Sequence, residues 1–300
     1  MKAQTSVLRS DNLRLREEAR LAYLLLLPAA IVLLVFMIYP IIYVFLMAFF
    51  RTDKIAQLHE FVGLKNFKAA MSDKEFWRVT FHSLYWTLLG VAVKSILGMI
   101  FALLLNVEYR GRKVARMLLI IPWASSVPIS CMLWKWVYDP EFGLLNHTLL
   151  SLGIIDSPIV WLGYPTSAFL STMWVDIWAG VPFMALVFLS GMQSIPKDLY
   201  ESADIDGCNG WGKFTHITLP GIRYIILIAT LLSSLWTFND FNCIYILTQG
   251  GPAGATDILI TAIYKNGIGW FKFSNAAVMA VMTFIILSIV SIVYARVYFG

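Results

Sequence analysis

Six stretches of this chain are apolar over the roughly 20 residues that a helix needs to cross the hydrocarbon of a bilayer. They cover residues 21–50, 80–106, 114–137, 167–191, 224–247 and 276–298. Inside such a stretch there is no water, so each backbone amide and carbonyl must be satisfied within the segment, which restricts the chain to helices. Composition agrees with this: 59% of the residues are apolar and 14% are charged, where a soluble domain carries about a quarter charged. A water-soluble fold of this size could not cover that much apolar surface. The expectation is an all-α membrane protein with six transmembrane helices, a short N-terminal segment over 1–20 and one helical domain over 21–300. The first stretch is too long for a signal-peptide core and has no small-residue cleavage pattern behind it, so it reads as a retained span.

The 23 Lys and Arg lie mostly between the stretches. With the N-terminus inside, 13 of them fall on the cytoplasmic side: Lys2, Arg9, Arg14, Arg16 and Arg20, then the 110–116 and 197–223 segments, then Arg296. Eight fall outside, while Lys94 and Lys135 lie in or at the end of spans. The excess predicts a cytoplasmic N-terminus, with the basic 51–78 loop offset by Asp53, Glu60, Asp73 and Glu75. The net charge of +5 therefore reads as topology, and no nucleic-acid partner is expected. Cys131, Cys208 and Cys243 have no paired or metal-ligand spacing and read as small buried hydrophobes. Pro28, Pro40, Pro122, Pro128 and Pro182 interrupt the spans, where each frees a carbonyl that another group must satisfy.

No phosphate-cradling G-x-x-x-x-G-K-[ST] loop occurs, nor HExxH, nor G-x-S-x-G. The chain is expected to be no enzyme and to need no cofactor or metal. Ionisable residues inside spans are costly and carry functional hypotheses. Four stand out: His82 and Lys94 in the second span, Asp176 in the fourth and Asp240 in the fifth. For His82 the plainer reading is a structural one. For Lys94 it is a salt bridge to another helix. Trp236, Thr237 and Asp240 stand at i, i+1 and i+4, which on a continuous helix is one face. Aromatic rings cover the apolar faces of a sugar while carboxylates and amides accept from its hydroxyls, so these residues suit a polyhydroxylated ligand. The competing reading pairs both aspartates with cations of a partner subunit.

Between the fourth and fifth spans, roughly over 192–222, lies a polar stretch too long for a simple connector. Ser194 is a candidate helix cap with Pro196 in the first turn. Asp198 and Glu201 complement a helix start, Gly207 supplies a left-handed end, and a second short helix runs to Pro220. The whole reads as a docking surface. Here Tyr-Glu201-Ser-Ala-Asp-Ile-Asp-Gly207, with Ile217-Thr-Leu-Pro220 behind it, is similar to the EAA loop of binding-protein-dependent ABC permeases.

Further blocks in the same order strengthen the likeness: Leu27-Pro28, Phe61-Val-Gly-Leu-Lys-Asn-Phe67, Ile121-Pro-Trp123, Phe142-Gly-Leu-Leu-Asn146, Gln193-Ser-Ile-Pro196 and Thr248-Gln-Gly-Gly-Pro252. The chain resembles the carbohydrate-uptake branch, and within it the larger maltose permease subunit. The resemblance implies a type I ABC importer permease fold with a cytoplasmic coupling helix. It implies Glu201, Ser202, Ala203, Asp206 and Gly207 as ATPase-coupling positions, with Ser202 replacing an alanine. It implies Trp123, Val127, Asp176, Ala179, Gly180, Trp236, Thr237 and Asp240 as substrate-binding positions. Val127 departs there from a hydroxyl residue, and Asp176 and Asp240 replace neutral amides. The implied partners are a second permease subunit, two ATP-binding subunits, an extracytoplasmic solute-binding protein and a sugar-like substrate. An ion-coupled carrier would call for an inverted repeat, which is not seen. A polytopic enzyme would call for a paired catalytic motif.

Overall fold

The computed structural model describes residues 19–299; Lys2, Arg9, Arg14 and Arg16 of the topology argument lie outside the described residues. Five helices are long and apolar enough to cross a membrane, and a bent pair makes a sixth if it is counted as one span. Span one is Ala19–Phe49, with a π-turn at Leu34–Ile38 just ahead of Pro40. Pro40 has no amide to give the carbonyl four residues back, and the wider turn absorbs that mismatch. Span two is Lys74–Asn106, capped by Asp73, whose side chain accepts from the Glu75 amide at 2.9 Å. Span four is Pro165–Gln193, unbroken through Pro182. Span six is Phe273–Phe299.

Spans three and five depart from the single helices expected. Span three is two half-helices, Arg112–Ala124 and Val127–Val137, bent by 96° at Ser125 and Ser126. Pro128 lacks the amide that would bond the Ala124 carbonyl, so the first half-helix stops there. The serines repair the break: Ser125 Oγ donates to the Pro122 carbonyl at 2.8 Å and lies 2.7 Å from Ser130 Oγ. Span five breaks between Arg223–Phe238 and Phe241–Leu247. Asp240 is therefore not the fourth step of one helix from Trp236. It caps the second piece, its side chain accepting from the Cys243 amide at 3.2 Å.

Without a hydrophobic drive between helices in lipid, close approach depends on small residues. Spans two and four use glycine for it. A Cβ on Gly98 would collide with Met184 Cβ and sit 3.1 Å from the Ala185 amide nitrogen. Around this crossing Val91, Ala102, Met184, Phe188 and Met192 belong to one core. Spans one and six pair through Met47 and Ala48 against Ala277, Val278 and Val281, with the Phe45 and Phe284 rings 5.6 Å apart, edge to face. The other half of span one has no buried residue and, from Leu21 on, carries no charged side chain.

At the end of span one, strands Phe50–Thr52 and Leu58–Phe61 pair antiparallel. Asn66 donates to the Ala48 and Phe50 carbonyls, at 3.0 and 2.9 Å, and Ser274 Oγ donates to Phe50 O at 3.0 Å. The Phe61–Phe67 block thus closes the helix end that its sequence follows. The loop after span three contains a helix, Leu144–Ser151, with Asn146 buried and bonded to Ile159 and Trp161.

The hairpin between spans four and five forms, with its caps shifted. Ser194 closes the preceding helix, its Oγ donating to Gly191 O at 2.8 Å, and Pro196 stands just before the helix Lys197–Ile205. At the other end Gly207 has φ +72. The Cys208 amide donates to Ala203 O at 2.8 Å and the Gly207 amide to Asp204 O at 3.1 Å, the two bonds of a left-handed helix cap. The second limb runs through Gly210–Lys213, a π-turn at Phe214–Thr218 and Leu219–Gly221. A Lys213–Asp204 ion pair and a Tyr200–Thr218 hydroxyl contact of 2.9 Å hold the limbs together.

Candidate substrate cavity and docking hairpin

A cavity of about 640 Å³ opens between spans three, four and five and reaches Lys94 on span two. Its wall includes Trp123, Val127, Asp176, Ala179, Gly180, Trp236, Thr237 and Asp240, so the eight residues singled out in the sequence surround one space. The bend in span three brings Trp123 to the wall from one half-helix and Val127 from the other. Trp123, Phe183 and Trp236 make an aromatic surface, with ring centroids 6.4 Å and 5.0 Å apart along the series. Trp236 is 55% exposed, an uncovered indole face beside polar groups.

The polar side of the cavity is built around Lys94, which is 3% exposed. Its ammonium donates to Asp176 Oδ1 at 2.8 Å and to Thr237 Oγ1 at 2.7 Å. Asp176 Oδ2 lies 2.7 Å away as a charge contact without hydrogen-bond alignment. Spans two, four and five therefore meet at one ion pair. Gly180 makes room for it, since a Cβ there would lie 2.8 Å from Lys94 Cδ. Gly90 does the same on span two, where a Cβ would come within 3.2 Å of Asp176 Oδ2. The partner of Asp176 is thus a lysine of its own chain, which is the salt bridge expected for Lys94. Asp240 is placed differently: Oδ1 caps the Cys243 amide, while Oδ2 is buried with no partner among the described residues.

Sequence reasoning did not assign Lys94, Phe183, Asn239 and Asn242 to this wall. A lysine deep in an apolar run was the available signal for the first; Asn239 stands between the Thr237 and Asp240 already singled out, and Asn242 two residues beyond. His82 is elsewhere, its Nδ1 3.2 Å from the Asp257 carbonyl. Among the described residues no cluster of His, Cys, Asp or Glu could hold a metal ion. The remaining five residues sit on the hairpin. Glu201, Ser202, Asp206 and Gly207 are exposed and Ala203 is half-buried, while Ile205 beside them is 88% exposed.

Residues 94–298 match the family model described as "Binding-protein-dependent transport system inner membrane component". The chain belongs to that family. It is 39% identical over 281 residues, 93% of this chain and 94% of the other, to the trehalose/maltose transport system permease protein MalF of Thermococcus litoralis. Among solved structures it is similar to a bacterial ABC transporter involved in the import of the acidic polysaccharide alginate. The TM-score is 0.83 at 24% identity, covering 95% of this chain and 98% of that one. The same fold recurs in a bacterial alginate ABC transporter in complex with an alginate pentasaccharide-bound periplasmic protein, with TM-score 0.81, 25% identity and coverage of 94% and 96%. The reading of the sequence as a strongly helical membrane protein with the type I importer permease fold holds, with five to six apolar helices and one short two-stranded sheet.

Proposed function

We propose that this chain is the transmembrane permease subunit of an ATP-driven importer of a carbohydrate or a related polyol or glycoside. The observation that carries this is the cavity: four spans distant in sequence converge on one space lined by an indole surface and by carboxylate and amide acceptors. Aromatic faces match the C–H faces of a pyranose, and a few fixed polar groups orient it. The trehalose/maltose permease similarity over nearly the full chain supports the same cargo class.

In this reading the N-terminus is cytoplasmic and the chain pairs in the membrane with a second permease subunit. Two ATP-binding subunits supply hydrolysis, and an extracytoplasmic solute-binding protein delivers the substrate. The 194–222 hairpin is the part that touches an ATPase subunit. Its two limbs are braced, its helix end is capped, and Leu199, Ile205 and Trp211 are exposed on it beside acidic residues. That is the surface of a rigid peg, suited to entering a cleft and transmitting its closure.

The test uses the reconstituted complete transporter in proteoliposomes. Asp240→Ala removes an acceptor for substrate hydroxyls, worth about 1.5–3 kcal/mol for a hydrogen bond to a charged group. Uptake should fall roughly tenfold or more, as it should for Trp236→Ala, while basal ATP hydrolysis persists. If Asp240→Ala prevents assembly and Trp236→Ala leaves uptake unchanged, the cavity is not the substrate path.

A further inference from the structure

Lys94 gives the cavity a charge that the two aspartates alone would not predict. Three oxygens of its own chain enclose its ammonium at 2.7–2.8 Å: both carboxylate oxygens of Asp176 and the Thr237 hydroxyl. Asp176 Oδ1 and the Thr237 hydroxyl accept two of its three protons, and at 3% exposure the ammonium, held against both Asp176 oxygens, is shielded from a ligand. Asp176 is neutralised by the same contact. Asp240 is the remaining charged group on this wall, and its Oδ2 is buried without a partner among the described residues. A buried acceptor with nothing to accept from is costly unless a ligand supplies a donor.

We infer that the Lys94–Asp176 pair, by cancelling itself and leaving Asp240 unmatched, makes this cavity selective for uncharged, hydroxyl-donating solutes and against anionic ones. Resting on the reading of this cavity as the substrate path, the inference narrows the cargo to neutral sugars and polyols and excludes uronic acids and sulfonated sugars. An anion entering here would meet an unpaired carboxylate in a low-dielectric space and no available cation on the wall. Lys94 acts through Asp176 and Thr237 rather than on the ligand, so it is a positioning residue. Asp240 is the group that discriminates.

The experiment measures uptake by the reconstituted transporter of paired probes: neutral mono- and disaccharides, trehalose and glucose among them, each beside the same sugar oxidised to its 6-carboxylate. The wild type should favour the neutral member at least tenfold. Asp240→Asn, isosteric and still able to cap Cys243 through its amide oxygen, should bring that ratio toward one. The double variant Lys94→Met/Asp176→Leu removes both charges of the pair and should keep the wild-type preference, because Asp240 is untouched. A purely structural Asp240 would leave the ratio unmoved in the Asn variant. Equal handling of both members by the wild type, preference for the acid, or an unchanged ratio in Asp240→Asn overturns the inference and leaves sugar transport standing. Uptake of neither member of any pair fails the sugar reading itself, and this inference with it.

Discussion

Gly180 and Lys94 show how one absent methyl group can place a charge. The lysine stem occupies the space where a Cβ of residue 180 would stand, and this lets its ammonium reach Asp176 and Thr237 together. The pair should not be read as a large net stabiliser, because taking two charges out of water offsets most of their attraction. Breaking it is another matter. Lys94→Met strands a buried carboxylate and should cost about 3–5 kcal/mol, whereas Lys94→Met/Asp176→Leu should recover most of that. Thermal unfolding of the purified variants in detergent measures both, and equal loss in the single and double variants would deny the coupling. At the Gly98 crossing the neighbour includes backbone, which cannot swing aside. Gly98→Ala should therefore destabilise by about 1–3 kcal/mol. Gly90→Ala, with its nearest neighbours at 3.2 and 3.4 Å, should cost less in the same assay.

Among the elements, the 194–222 hairpin is built to keep its shape. Gly207 carries a left-handed φ, and nothing lies within 4 Å of where its Cβ would be, so the demand at this position is conformational and not one of space. A leucine there meets the left-handed penalty of about 1–2 kcal/mol, and asparagine, which visits that region, meets less. Gly207→Leu should distort the cap and uncouple ATP hydrolysis from uptake at normal membrane level. Gly207→Asn should retain most of the transport. Comparable uptake by Gly207→Leu and the wild type would remove the coupling role from this loop. The breaks in spans three and five are elements of the same kind. Each ends a helix at the cavity wall, where a side chain caps a freed backbone group: Ser125, braced by Ser130, in one case and Asp240 in the other. Irregular backbone at membrane depth is tolerated where it lines a cavity.

For the whole molecule, the N-inside reading assigns each loop to one face of the membrane, and two exposed positions report on it. A Cβ placed on Gly210 would have nothing within 4 Å of it, and His147 is exposed on the loop helix whose neighbour Asn146 is buried. In a Cys208→Ser background, Gly210→Cys should react with an impermeant maleimide only from the cytoplasm and His147→Cys only from outside. Labelling in the opposite sense inverts the topology and with it the ATPase assignment of the hairpin. The apolar, uncovered half of span one belongs to this scale too. None of the described residues buries it, so lipid or a neighbouring subunit must.

The sequence by itself determined the helical membrane class, because stretches of about twenty apolar residues must satisfy their own backbone groups in lipid and a helix does so within the segment. It also determined the hairpin, because the glycine and acidic positions act through local backbone geometry. The same local logic put Ser194 at the wrong helix end, since a serine between two helices can serve either and only the chain direction around it decides. Tertiary structure decided what Asp176 and Lys94 do. They stand 82 positions apart in the chain, and no local pattern shows which charges meet when spans two and four cross. It also separated Asp240 from the helix of Trp236: helical spacing assumes an unbroken ladder of backbone bonds, and that ladder ends at Phe238. The two aspartates look equivalent as letters. One is neutralised by a lysine that a glycine admits, and the other keeps an unpaired oxygen, a difference that exists only once the spans are packed.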